Sequence, residues 1–345
     1  MKRSATAVAA LILIAAVGCD GQSGTKAQAG PTTSGQAGAA RPMTAGEVRR
    51  AVVTVNQRED TENWDAAFWR KTAEGPWLEQ RLAAVDNHKK YGAGTEPKPT
   101  GSPTVSSQVH AWAAAGPADD RWILGAYEAR SASVGDTENS ASQYWSLYHQ
   151  QKGDGWRRAF LALAPSLTAL PAPATDHDGQ AVVSGDVSKL AAPPSSVCRR
   201  YDDYITDKSG TAADDALWSK DIRSVRASFK TAKTQLRADF NNPVSIRLNS
   251  DPQPTHLGPV WRTADGGALV ACVAVTKTVI DMGPGRYIKL SSSGWPGTTG
   301  IRWNAMTQSQ LHMIVLKVPA GSHEVSIAAQ GNWPYHFDGT RYTGN

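Results

Sequence analysis

Three cysteines in 345 residues are too few to staple a small disulfide-dense fold. Beyond Ala7–Val17 there is no long apolar run, which excludes a multi-pass helical membrane protein. Like charges do not cluster either: Arg49-Arg50, Lys89-Lys90, Arg157-Arg158 and Arg199-Arg200 are isolated pairs. Four of the 36 basic residues (Lys2, Arg3, Lys26, Arg41) and one of the 31 acidic ones (Asp20) precede position 44, leaving 32 against 30. That balance argues against nucleic acid as a partner, since nucleic acid needs a clustered basic face.

Catalytic signatures are also missing. The eight histidines (His88, His110, His149, His177, His256, His312, His323, His336) form no His-Glu-x-x-His or His-x-His pair, so no metal site is expected. There is no Gly-x-Ser-x-Gly elbow. Gly283-Pro284-Gly285 lacks the lysine and helix of a phosphate loop. Ser23 to Lys26 has Ser-x-x-Lys spacing but lies in a segment too loose to hold a site. Asp202-Asp203 and Asp214-Asp215 are neighbours on helical patterns and point apart. No catalytic residue and no cofactor is expected from these patterns.

What is present begins at the N-terminus. Lys2 and Arg3 precede the apolar stretch Ala7–Val17, which ends Gly18-Cys19-Asp20. The stretch is too short for a membrane span and has the flanks of a secretory signal. The junction resembles the lipobox of bacterial lipoproteins. That resemblance implies a signal peptide over 1–18, cleavage before Cys19 and lipidation of the Cys19 sulfur. Palmitate-class chains would then anchor the protein in the membrane, since two or three chains hold firmly at about 0.8 kcal/mol per buried methylene. Residues 19–43, rich in Gly, Ser, Thr, Ala and Gln, read as a flexible tether. The expected location is the outer face of the cytoplasmic membrane.

From Thr44 onward the chain has the texture of a folded protein. Thr44-Ala45-Gly46-Glu47 has capping-box spacing. Val48, Ala51, Val52 and Val55 recur at helical intervals; Trp64 and Phe68 continue them, and Leu78, Leu82 and Val85 mark a second helix. Four aromatic runs then read as strands: 105–115, 122–131, 143–151 and 156–163. After a Pro/Ala-rich stretch from Leu170 to Pro194, which reads as a linker, helices return. Val197, Tyr201, Tyr204 and Ile205 form one stripe. Trp218, Ile222, Val225, Phe229, Ala232, Leu236 and Phe240 form a longer one, and Asn241-Asn242-Pro243 stops it. Strands follow over 259–263, 268–279, 286–290, 310–318 and 324–330.

Helices before strands, twice over, predict an α+β protein. The expectation is two similar modules, 44–170 and 184–345, each with helices on one face of an antiparallel sheet, in the manner of nuclear-transport-factor-2-like or cystatin-like architectures.

The lipobox and tether combine with Val55-Asn56-Gln57-Arg58 to Trp64, with Ala73-Glu74-Gly75-Pro76-Trp77 and with Asp265-Gly266-Gly267-Ala268-Leu269-Val270. Together these resemble an actinomycete family of envelope lipoproteins with a duplicated α+β domain of unknown function. The resemblance spans most of residues 44–330 and carries no catalytic residues. With the anchor, the tether, the repeated α+β pattern and the missing catalytic motifs, the expectation is a non-catalytic extracytoplasmic binding or interaction module.

Two residue classes carry the site expectations. Of twelve tryptophans, Trp295, Trp303 and Trp333 sit among Gly, Pro, Ser and Asn, and loop tryptophans can contact a glycan, a small molecule or a protein partner. His110 beside Trp112 and His256 near Trp261 occupy similar places at strand starts in the two halves. Cys198, on a helical stripe, and Cys272, mid-strand, would both face one domain's interior. They form either a disulfide, favoured outside the membrane, or two buried thiols. The competing functional class is an enzyme with a cavity-type site between helices and sheet, using a lone His or Asp as general base.

Overall fold

Helix α1 (Ala45–Glu59) starts at the capping box. Thr44 N donates to Glu47 Oε2 at 2.8 Å, and Glu47 N donates to Thr44 Oγ1 at 3.3 Å, so the helix's first donors are met. The Thr44 amide, with Arg41 beside it, holds the Glu47 carboxyl down at about 2. The apolar stripe Val48, Val52 and Val55 packs with Ile123, Tyr127 and Tyr148. The stripe at Trp64 and Phe68 is not more of α1. It belongs to a separate helix, α2 (Ala66–Thr72), capped by Asp65, whose Oδ1 accepts from Ala67 N at 2.8 Å. Helix α3 (Gly75–Tyr91) follows.

Strands β1 (Thr104–Ala113), β2 (Asp120–Arg130), β3 (Ala141–Gln151) and β4 (Arg157–Ala164) lie where the four aromatic runs place them. Helices α4 (Pro194–Ile205), α5 (Ala212–Leu217) and α6 (Lys220–Asp239) come next. They precede β5 (Ser245–His256), β6 (Trp261–Arg262), β7 (Ala268–Asp281), β8 (Ile288–Lys289), β9 (Arg302–Val318) and β10 (Ser326–Arg341). This computed structural model describes residues 41–59, 64–91, 104–117, 119–130, 141–151, 154–167, 171–183, 185–206, 212–239, 243–290, 298, 300–321 and 323–344. Among the described residues no helix is long and apolar enough to cross a membrane.

The protein is α+β, with a large antiparallel sheet and a few helices. The strands form one ten-stranded sheet, in the order β1-β2-β3-β4-β10-β9-β7-β5, with β6 beside β7 and β8 beside β9. This corrects the expectation of two modules each with a sheet of its own. The two segments meet at β4 and β10, where Leu163 lies opposite Gln330. Joining them removes two edges that separate sheets would have left open. The stretch read as a linker is packed against both segments. Ala181 is buried and bridges Ala114, while Ala174 N donates to Arg262 O at 2.8 Å and Arg262 N donates to Val182 O at 2.9 Å.

Strands β7 and β9 are apolar on both faces, which is why a search for one apolar face fits them poorly. Val270, Cys272, Ile314 and Leu316 pack with α4 and α6 through Val197, Tyr201, Ile222 and Phe229. Leu269, Ala271, Met313 and Val315 join Leu124, Trp145, Leu147 and Phe160 from the other segment in a second core. Strands covered on both sides read as continuous hydrophobic runs rather than alternating ones. Within the first core Cys198 of α4 and Cys272 of β7 form a disulfide, with Cα atoms 5.4 Å apart.

Past Gln330, β10 makes no further ladder pair with β4 among the described residues and would show a bare edge. Helix α3 covers it. Gln80 Nε2 donates to Pro334 O at 2.9 Å, Asn87 Nδ2 donates to Tyr335 O at 3.1 Å, and Phe337 N donates to Asn87 Oδ1 at 3.3 Å. Two amide side chains, two helical turns apart, thus stand in for a neighbouring strand.

Candidate functional site

The turn before β2 and the end of β3 build the site. Antiparallel register sets Trp122 opposite His149 and Asp120 opposite Gln151. Trp122 and His149 share one face of the hairpin, and their rings stack at 4.2 Å with a 16° interplanar angle. Asp120, two residues before Trp122, lies on the same face. Its Oδ1 accepts from Trp122 Nε1 at 3.0 Å and meets His149 Nε2 at 2.8 Å.

The second carboxylate comes from the α2–α3 connection. Ala73 bridges Arg158, and Glu74 N donates to Arg158 O at 2.9 Å. This anchoring to β4 aims the Glu74 carboxylate at His149 Nδ1, with which it forms a hydrogen bond. Burial by itself would push the His149 pKa down. The hydrogen bond and charge of Glu74, and then those of Asp120, outweigh it, so the imidazole is held above its ordinary value. Both ring nitrogens have a carboxylate to donate to, which is the arrangement an imidazolium requires.

Asp120, Trp122 and His149 form one wall of an open cleft of about 820 Å³, shared with Asp119, Gln151, Val183 and the chain from Ala114 to Pro117. Gly258 lies against Trp122 with φ +67°; a Cβ there would come within 3.0 Å of the indole. No Ser, Thr or Cys is among the described lining residues, and no cluster of His, Cys, Asp and Glu among the described residues is placed to hold a metal. His149, bound at both nitrogens, has no free lone pair with which to act as a general base.

All of these residues fall within 36–332, the segment that matches the family described as Domain of unknown function (DUF8094). The chain belongs to that family. The DUF8094 match spans both helix-then-strand segments, from ahead of α1 into β10. No curated protein and no solved structure matches the chain.

Within the DUF8094 fold the residues singled out from sequence are dispersed. Cys19 and Trp295 lie outside the described residues. Trp303, expected as a loop contact, is instead part of β9 and fully buried, edge-on to Tyr91 at 5.4 Å and to Phe337 at 5.0 Å. It presents nothing to a ligand. Trp333 belongs to β10, is half-buried, donates from Nε1 to Leu161 O at 3.0 Å and sits edge-on to Trp77. His110 stacks on Trp112 at 6.2 Å. His256 is exposed opposite Cys272, whereas Trp261 is fully buried in the second core.

The Glu74–His149–Asp120 group was not found from sequence. The turn at 116–120 and the strand through His149 were both legible. The hairpin register that pairs them was not, because the β2–β3 connection is too long to set it.

Proposed function

We propose that this protein is a lipid-anchored, extracytoplasmic lipoprotein of the actinomycete envelope, whose folded part is a non-catalytic binding module for a hydroxyl-rich ligand such as a cell-wall glycan. The observation that carries the binding reading is the His149 cleft. It is large enough for a small ligand, is lined by acceptors, and holds its imidazole saturated by Glu74 and Asp120. Asp119, Gln151 and the carbonyls between Ala114 and Pro117 suit a ligand rich in hydroxyl donors. Anchoring rests on the Lys2–Cys19 pattern, and the tether rests on the composition of 19–43. We also propose that each segment is similar to nuclear-transport-factor-2-like or cystatin-like architectures, which the order of helices before strands in each supports.

Calorimetric titration of the full-length protein in neutral detergent with soluble cell-wall glycan fragments tests the binding reading. Binding should weaken in Asp119→Asn and Gln151→Ala. Turnover of a fragment would overturn the non-catalytic assignment, and absence of binding would overturn the ligand class. Mass spectrometry of the native protein should find an acylated N-terminal Cys19, and Cys19→Ala should release it from membranes. An unmodified mature chain starting elsewhere would overturn the anchor.

A further inference from the structure

A second cleft, of about 400 Å³, opens on the other face of the same hairpin and has the opposite character. Side chains alternate across a strand. Trp122 and His149 turn into the acidic cleft, while their neighbours Arg121 and Gln150, also directly opposed, line this one. The facing wall is a single stripe of α1, in which Arg50, Thr54 and Arg58 recur at helical spacing.

The charges in this cleft are unbalanced. Its one carboxylate, Glu47, is engaged by Thr44 and by Arg41, whose guanidinium lies 2.5 Å away. That leaves Arg50, Arg58 and Arg121, none of which has an ion-pair or hydrogen-bond partner for its side chain among the described residues. Their floor is apolar: Val55 is buried, and Met43, Ala51 and Trp156 pack against the same core. Three like charges over a low-dielectric floor repel one another unless a counter-charge is supplied. Guanidinium forks match phosphate oxygens in geometry as well as charge.

We propose that this cleft binds an anionic, phosphate-bearing ligand, its oxygens held by Arg50, Arg58 and Arg121 and its ring or chain portion lying on Trp156 and Met43. The site is independent of the His149 cleft and of the glycan reading. Its ligand is either a soluble phosphate compound or the headgroup of an anionic phospholipid, since both present the same group.

The experiment is calorimetric titration of the full-length protein in neutral detergent. The probes are inorganic pyrophosphate, dihexanoyl phosphatidylglycerol and, as a zwitterionic reference, dihexanoyl phosphatidylcholine. The expected result is binding of pyrophosphate or phosphatidylglycerol but not phosphatidylcholine, weakened by added salt. Arg58→Gln and Arg121→Gln should each lower affinity about tenfold, one charged hydrogen bond each. Arg58→Lys should recover part of that loss. Arg49→Gln removes the same charge from α1 outside the cleft and should change affinity little. Pyrophosphate binding alone assigns a soluble ligand; a preference for phosphatidylglycerol assigns a lipid. Absence of binding by either anion overturns the proposal, as does an Arg49→Gln loss equal to that of Arg58→Gln. Melting curves of each variant identify any that fail to fold, and Arg58, exposed on α1, is the position where substitution disturbs the fold least.

Discussion

Glu59, at the end of α1, and Arg158, on β4, form an ion pair that solvent barely reaches, with side chains 3% and 6% exposed. Trp77 Nε1 also donates to Glu59 Oε2, at 3.3 Å, and Tyr127 OH accepts from Arg158 Nη2, at 3.2 Å. Burial raises the Glu59 pKa against the pull of Arg158 and then Arg81. The pair therefore holds only while both partners are present. Arg158→Met should cost about 3–5 kcal/mol by stranding a buried carboxylate. Adding Glu59→Gln to that variant should restore much of the loss. Urea denaturation of the two single variants and the double variant measures the coupling, and additive losses would contradict it.

The Cys198–Cys272 disulfide ties α4 to the middle of β7 across 74 residues of chain. A crosslink of that span should contribute about 4 kcal/mol in the chain-entropy model. Denaturation with and without reductant should show a loss of that order, and the Cys198→Ala, Cys272→Ala double variant should match the reduced protein. Two reactive thiols in the denatured, unreduced chain would refute the link.

His312 is fully buried on β9, where Nε2 meets Thr276 Oγ1 at 2.9 Å and Nδ1 meets Asn332 Oδ1 at 2.6 Å. Burial pushes its pKa down to about 4, so the folded protein keeps it neutral while the unfolded chain takes up a proton below about 6.5. Stability should therefore fall with acidification from pH 6.5 towards 4, by about 3 kcal/mol in total. The difference between wild type and His312→Gln across that window isolates the effect. A flat difference would contradict it.

His149 should show the opposite sign. Its folded pKa is raised, so its contribution is complete below the ordinary histidine value and is lost as pH climbs through the folded one. Replacing Glu74 with Gln should lower the imidazole pKa and flatten that loss. Titration of the ring resonances of His149 reads this directly, and an unchanged midpoint in the variant would count against the Glu74 bond.

The fold's legibility in the sequence follows from how each element is stabilised. The stripe from Ile222 to Leu236 packs as its 3–4 spacing requires, and β1–β4 announce themselves through aromatic and β-branched residues. Strand β5 is not among the strands expected from sequence, and its prolines, Pro252 and Pro254, argue against one. It lies at the end of the sheet order, and its pairing with β7 jumps between Asp251 and Thr255, so the prolines remove no ladder bond that matters. The C-terminal part of β10 was missed for a similar reason. Pro334 falls at a register shift, and the partner groups there are helix side chains, which no strand pattern encodes. The helix stripe with Trp218 at its head was also read one turn too long, since Trp218 bridges Val325 instead. Of the arginine cleft, Arg50 stood out in the sequence only as half of an isolated basic pair. Its juxtaposition with Arg121 arises only from tertiary packing.

The amide clasp of Gln80 and Asn87 on β10 bears on crowding. On the proposed membrane anchor the protein would meet its neighbours at high local density, where an open strand edge would recruit copies of the chain side by side. With α3 occupying that edge and prolines in β5 interrupting another, these two edges offer little template for lateral growth. Gln80→Ala with Asn87→Ala would then expose a self-association hazard that the isolated fold never shows in dilute solution.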